Sequence, residues 1–162
     1  MVTRNLWSLE PGECVVAEEL KKKIRSVQIY FPMRDVGTDL LAVRNETHVG
    51  IQVKTSRSYG DIGKAHGWHT LQARKLEQED AEFYIFLVFG LTDKLGFENQ
   101  FVIIPRQTLL KKAKKKPTSG GKYTFYFKIE GSKVTEDRDK PEDYSDFLNN
   151  WNLIDAALEK TR

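Results

Sequence analysis

Phe83-Tyr84-Ile85-Phe86-Leu87-Val88-Phe89 is a run of seven residues with apolar or aromatic side chains at both odd and even positions. Successive side chains of a strand point to opposite faces of its sheet, so both faces of this segment need cover from water. The run therefore predicts a central strand covered from two sides, with helices flanking the sheet. It is also far shorter than the ~18 to 20 apolar residues that cross a bilayer. The expected class is α/β, with a central sheet and outer helices.

The chain has 162 residues, enough for one good core and too few for two, so residues 1–162 read as a single domain. Hydrophobic residues at 40% and charged residues at 30% exclude a wholly disordered, collagenous or membrane-embedded chain. Val16, Ala17, Leu20 and Ile24 recur at helical spacing behind Pro11-Gly12, predicting an amphipathic helix over 12–26. A short strand is expected over 27–31. Residues 39–43 and 49–54 read as a hairpin turning at Asn45-Glu46. The polar, glycine-punctuated stretch 55–70 reads as a loop, followed by a helix over 71–80. Strands are expected again at 101–104 and 123–129, a short basic helix at 107–114, and a charged connector over 131–141. Tyr144, Phe147, Leu148, Trp151, Ile154 and Leu158 then predict a docked amphipathic helix.

A single cysteine, Cys14, forms neither an internal disulfide nor a multi-thiolate zinc site, which points to the reducing cytosol and assigns Cys14 to packing. The N-terminal MVTRNLWSLEPGE lacks the apolar core of a signal peptide, so the expectation is a cytoplasmic protein with no membrane attachment. The net charge of +3 fits a phosphate-bearing partner without requiring one.

Chemistry concentrates in the hairpin. In its second strand His48, Gly50, Gln52 and Lys54 share one face, and Val49, Ile51 and Val53 the other. Residues two apart on one face lie about 6 to 7 Å from each other, so Gln52 can address a metal while Lys54 meets an adjacent phosphate. Asp39, opening the partner strand, would supply a carboxylate oxygen to a hard divalent cation such as Mg²⁺. Lys54 would then orient a water or balance charge at phosphorus. Glu13 lies on the apolar stripe of the first helix, so its carboxylate is expected to point toward the sheet. Glu18 and Glu19 fall off that stripe and read as surface residues.

Gly12-Glu13 in a first helix, then Gly37-Thr38-Asp39, then Gly50-Ile51-Gln52-Val53-Lys54-Thr55-Ser56, resembles the PD-(D/E)XK (restriction-endonuclease-like) nuclease superfamily, in its QxK branch. The later Phe101 to Pro105 and Tyr144 to Trp151 segments also look like small members of that branch. The resemblance implies a restriction-endonuclease-like core with a central mixed β-sheet. It further implies a metal-dependent endonuclease that hydrolyses DNA phosphodiester bonds, with Asp39 as the metal-binding acid, Lys54 as the catalytic lysine and Glu13 as the helix-borne acid. Gln52 stands where the superfamily usually has a second acid, and Gly37-Thr38 replaces the proline of the motif's name. The Gln52 side-chain carbonyl and the Val53 backbone carbonyl would complete an oxygen donor set for one Mg²⁺ or Mn²⁺. The alternative is a nuclease-fold module, catalytically inactive, that binds nucleic acid or a protein partner.

Further candidates for nucleic-acid contact are Arg57, directly after Thr55-Ser56, and His66, Trp68 and His69 in the expected loop, placed to contact bases or shuttle a proton. The lysines Lys111, Lys112, Lys114, Lys115 and Lys116 read either as a solvated helix end or as a phosphate-attracting patch. Cutting both strands of a duplex needs two active sites or two turns, so a homodimer or higher homo-oligomer is expected.

Overall fold

A computed structural model of the chain describes residues 9–33, 37–62, 64–92, 94 and 96–159; of residues 57–61 and 97 it describes the backbone alone. The first helix, α1 (Pro11–Lys23), begins with a proline in its first turn and carries Glu13 at its positive end and Lys21, Lys22 and Lys23 at its negative end. Three antiparallel strands follow, β1 (Gln28–Tyr30), β2 (Leu40–Arg44) and β3 (Thr47–Ile62). Asn45, at φ 55°, makes the tight β2–β3 turn. The chain then passes through β4 (Lys64–Gln72) and α2 (Ala73–Gln78) before β5 (Phe83–Leu91), which lies parallel to β3. Strand β6 (Phe97–Pro105) returns antiparallel to β5, giving one mixed sheet of order β1-β2-β3-β5-β6.

The remaining elements are α3 (Arg106–Ala113), β7 (Lys122–Glu130), β8 (Lys133–Glu136), β9 (Glu142–Asp143), a 3-10 turn (Ser145–Phe147) and α4 (Asn152–Glu159). Strands β4, β7, β8 and β9 form a second, antiparallel sheet in that order.

Strand β5, interior to the mixed sheet though β3 is its middle strand, is buried on both faces, as its composition demands. On one side Ile85 and Leu87 pack with Leu40 and Ile51 against Val16 and Leu20 of α1 and Ile154 and Leu158 of α4. On the other, Tyr84, Phe86 and Val88 pack against Phe125, Phe127 and Ile129 of β7, with Leu76 of α2 and Leu109 of α3. Each buried aliphatic or phenyl side chain contributes about 1.5 to 3 kcal/mol relative to exposure. Helices thus flank the mixed sheet, and the second sheet supplies much of the cover on the β5 face. The Arg44 guanidinium, 2.6 Å from the Asp155 carboxylate, fastens α4 to β2.

Several local expectations are corrected. Residues 55–70 are strand rather than loop: β3 runs on to Ile62 and β4 returns across it. Residues 131–141 contain β8, whose Val134 is buried against the Phe125–Phe127 cluster. The apolar tail is not one helix, because Asn149, at φ 49°, bonds to both the N–H and the carbonyl of Phe101 and interrupts it before α4. Cys14 is exposed rather than packed.

Candidate active site

The site grows from the pairing of β2 with β3. Leu40 faces Ile51 across the ladder, and the Asp39 N–H donates to the Ile51 carbonyl at 2.9 Å, which brings Asp39 beside Gln52. One oxygen of the Asp39 carboxylate then accepts from the Gln52 side-chain amide at 2.5 Å and from the Val53 backbone N–H at 2.8 Å. Gln52 is 6% exposed and its amide is turned toward Asp39, so its Oε1 is buried with no hydrogen-bond partner. An orphaned buried oxygen costs on the order of 1 to 3 kcal/mol, and it is a hard donor of the kind Mg²⁺ takes. Asp39 and Gln52 thus fit one oxygen-ligated cation.

Lys54 follows on the same face of β3, aligned with Phe86 of the parallel neighbour as Gln52 is with Tyr84. It lines a cavity of about 170 Å³ with Thr70, Gln72, Lys75, Glu79 and Tyr84. On the other side of the Asp39–Gln52 pair, a wider concavity of about 520 Å³ is lined by Thr38, His48, Gly50, Asp80 and Glu82. The pair therefore forms a divide on one sheet face between a lysine-bearing hollow and a hollow carrying two acidic residues.

Glu13 is 4% exposed in the first turn of α1, on the stripe that packs against the sheet. A side chain on Gly12 would collide with Thr55, so α1 lies against β3 one residue beyond Lys54. Glu13 comes from the face of Val53 and Thr55, whereas Gln52 and Lys54 occupy the other. Among the described residues, no group of three or more His, Cys, Asp or Glu is placed to hold a metal. A cation here would rely on Asp39 and neutral oxygens.

The nucleic-acid candidates separate. His69 is 3% exposed, edge-on to Phe86 at 5.1 Å, and burial, with the Lys54 charge as a second cause, pushes its imidazole down to about 3. It is a neutral core group under Lys54, which corrects the expectation of a residue facing a ligand. His66 sits half-buried on the outer face of β4. Lys112 is bound to Glu142 with its ammonium 4.3 Å over the Tyr144 ring, and Lys116 lies 2.6 Å from buried Glu136 and 3.0 Å from Asp139. Those two lysines tie α3 and the turn after it to the β8–β9 hairpin, a correction to the phosphate-patch reading, while Lys111, Lys114 and Lys115 are exposed. The Arg57 side chain lies outside the described residues.

Glu79 and Tyr84 join the site without having been singled out in the sequence. The Tyr84 hydroxyl donates to the Glu79 carboxylate, and burial first, with that hydrogen bond second, raises the phenol well above its ordinary value. Gly37, at φ 76°, lies so close to Glu79 that any side chain there would collide with it. Arg106 holds α2 in place by donating to the Leu76 carbonyl at 3.1 Å. The available signal was Tyr84 itself, the one polar tip in the apolar run; its alignment with Gln52 is a register that no local pattern encodes.

No protein-family model matches the chain, and no curated protein matches it in sequence. Among solved structures, one of a bacterial homing endonuclease, I-Ssp6803I, is similar over 96% of this chain and 94% of its own, with a TM-score of 0.52 and 14% identity. At that identity the likeness is one of fold. The chain has a nuclease-like α/β fold.

Proposed function

We propose that this protein is a metal-dependent endonuclease of the PD-(D/E)XK type that hydrolyses DNA phosphodiester bonds. The observation that supports it most is the Asp39–Gln52 contact, which leaves a buried amide oxygen without a partner two residues from a lysine that opens into a cavity. Asp39, the Gln52 Oε1 and the Val53 backbone carbonyl would hold one Mg²⁺ or Mn²⁺; Glu13, expected as a further acid, lies on the opposite sheet face from Gln52 and is not in this donor set. Such a cation supplies Lewis-acid stabilisation of the phosphoryl oxygens and a more acidic water. Lys54 places an ammonium beside the reacting phosphate, where it orients the attacking water and offsets the charge that grows as the new P–O bond forms and the bond to the leaving oxygen breaks. His69, kept neutral by burial, leaves the positive charge at this point to Lys54. Lys75 lines the same cavity 3.9 Å from the Glu79 carboxylate, so that two lysines there stand against one acid.

A second reading has one observation in its favour. The Asp39 oxygen that accepts two hydrogen bonds is already satisfied by protein donors, as in a nuclease-fold module that binds DNA without cutting it. A panel of duplex, branched and single-stranded DNA with Mg²⁺ or Mn²⁺ separates the two. The nuclease reading expects cleavage by the wild type and none by Asp39→Ala. Salt-sensitive binding by the wild type with no cleavage of any substrate supports the module instead.

A further inference from the structure

The second sheet covers the core with one face and turns the other to solvent, and that outer face carries an unusual group. Along β4 and β7 the outward residues pair as His66 with Lys128, Trp68 with Tyr126, Thr70 with Thr124 and Gln72 with Lys122. Trp68 is 50% exposed, the largest aromatic side chain so exposed among the described residues. One face of its indole lies on the Tyr126 ring, with centroids 4.4 Å apart and planes 24° from parallel. An indole with one face stacked and half its area in water has its second face open. The Lys128 ammonium stands 5.4 Å over the same Tyr126 ring, and His66 leans on that ring at 5.8 Å.

We propose that this outer face of β4 and β7 is a stacking platform for unpaired bases of single-stranded DNA flanking the scissile phosphate, Trp68 taking the base and Lys128, Lys122 and His66 the backbone. Three features favour that occupant. An aromatic face binds the flat side of a base, which a closed duplex hides within its own stack, so the ligand is an unpaired strand. The charge is positive by a narrow margin: Lys64, Lys122, Lys128 and Lys133 point outward from the sheet, against Glu130 and Asp143 on it and Asp137 just beyond it; Glu130 and Asp137 pair with Lys64 and Lys128, and Lys122, on the strand of Tyr126, has Gln72 rather than an acid opposite it. The surroundings of Trp68 are polar and cationic, unlike the apolar centre of a protein-docking patch.

Continuity with the cleft gives the platform its place. Strand β4 carries Thr70 and Gln72 to the rim of the cavity that holds Lys54. Trp68 is two residues before Thr70, about 7 Å along the strand. A strand whose phosphate sits at Lys54 would turn over the rim at Thr70 to reach Trp68 on the outer face. The inference rests on the nuclease reading for the identity of the ligand as DNA, and it adds a preference for DNA that is open beside the cut.

The test is binding of fluorescent DNA to the full chain with calcium in place of magnesium, comparing fully paired, gapped and single-stranded oligonucleotides of one sequence. Trp68→Ala is expected to lose at least about fivefold in affinity for gapped and single-stranded DNA and to bind the fully paired duplex as the wild type does. Trp68→Phe is expected to keep most of the difference. Should Trp68→Ala melt early, ultraviolet cross-linking of wild-type Trp68 to a halogenated uracil in the gap gives the same answer. Unchanged affinities for all three DNAs in folded Trp68→Ala, the result for a face that docks a protein, overturn the proposal, as does the absence of a Trp68 cross-link. Cleavage of the same gapped DNA by the wild type in magnesium is scored separately. Its absence counts against the nuclease reading and leaves the binding comparison standing.

Discussion

At the scale of single residues, Gln52 is the departure with the clearest chemical consequence. Its amide donates to Asp39, so Gln52→Glu exchanges a hydrogen bond for two carboxylates side by side in a buried place. In a chelator, Gln52→Glu is expected to be less stable than the wild type by about 1 to 3 kcal/mol, and millimolar Mg²⁺ is expected to restore the loss, as thermal unfolding with and without the cation will show. A deficit that Mg²⁺ leaves untouched contradicts a cation at this pair. His69 sets a different signature. Its imidazole is held at about 3 in the folded chain against 6.5 for an ordinary histidine, so the unfolded chain takes up a proton that the folded one refuses. Stability from this group is complete above pH 6.5 and falls as the pH drops toward 3, by at most about 1.4 kcal/mol per unit. His69→Phe, which keeps an aromatic ring between Phe86 and Phe127, is expected to remove on the order of 2 kcal/mol of the loss between pH 6.5 and 5 or below, measured by urea unfolding.

At the scale of elements, β4 decides how the two sheets meet. Gly67 lies where an added Cβ would stand 2.6 Å from the Ser56 Cβ and Oγ and 3.2 Å from the His69 Nε2, so β4 crosses β3 in near-contact. Gly67→Ala is expected to destabilise the fold by about 1 to 3 kcal/mol, read as a lower urea midpoint with an unchanged slope. The same crossing explains why the strand is hard to read in the sequence. Its inward positions are Ala65, Gly67, His69 and Leu71, and only the last looks like a core residue. Gly67 is there for close approach, and His69 fills a slot between phenylalanines. Strand β8 is obscured in the same way, since its two inward residues are Val134 and the ion-paired Glu136. By contrast α1, β2, the first half of β3 and β5 are legible, because their apolar periods are clear and a proline marks the first turn of α1.

At the scale of the whole molecule, the double-sided apolar run of β5 was enough to demand cover on both faces, and the structure provides it with helices on one side and mostly a second sheet on the other. Asp39, Gln52 and Lys54 were legible as a group because hairpin pairing and strand alternation are local rules. Glu79 and Tyr84 were not, because their place depends on the parallel register of β3 with β5, two elements apart in the chain. Under the proposed function, a net charge of only +3 gives little long-range attraction and leaves DNA affinity to local contacts. With about four phosphates engaged, affinity is expected to fall on the order of 100-fold between about 50 and about 200 mM salt. In the proposed nuclease Lys54 works on a phosphodiester held beside Asp39 and Gln52. The most direct measurement of that role is the single-turnover rate of DNA cleavage in Mg²⁺ for wild type and Lys54→Ala, each shown to be folded by its thermal transition. Cleavage by the wild type and a loss of at least about 100-fold in the variant are expected; equal rates for the two would rule out this role for Lys54.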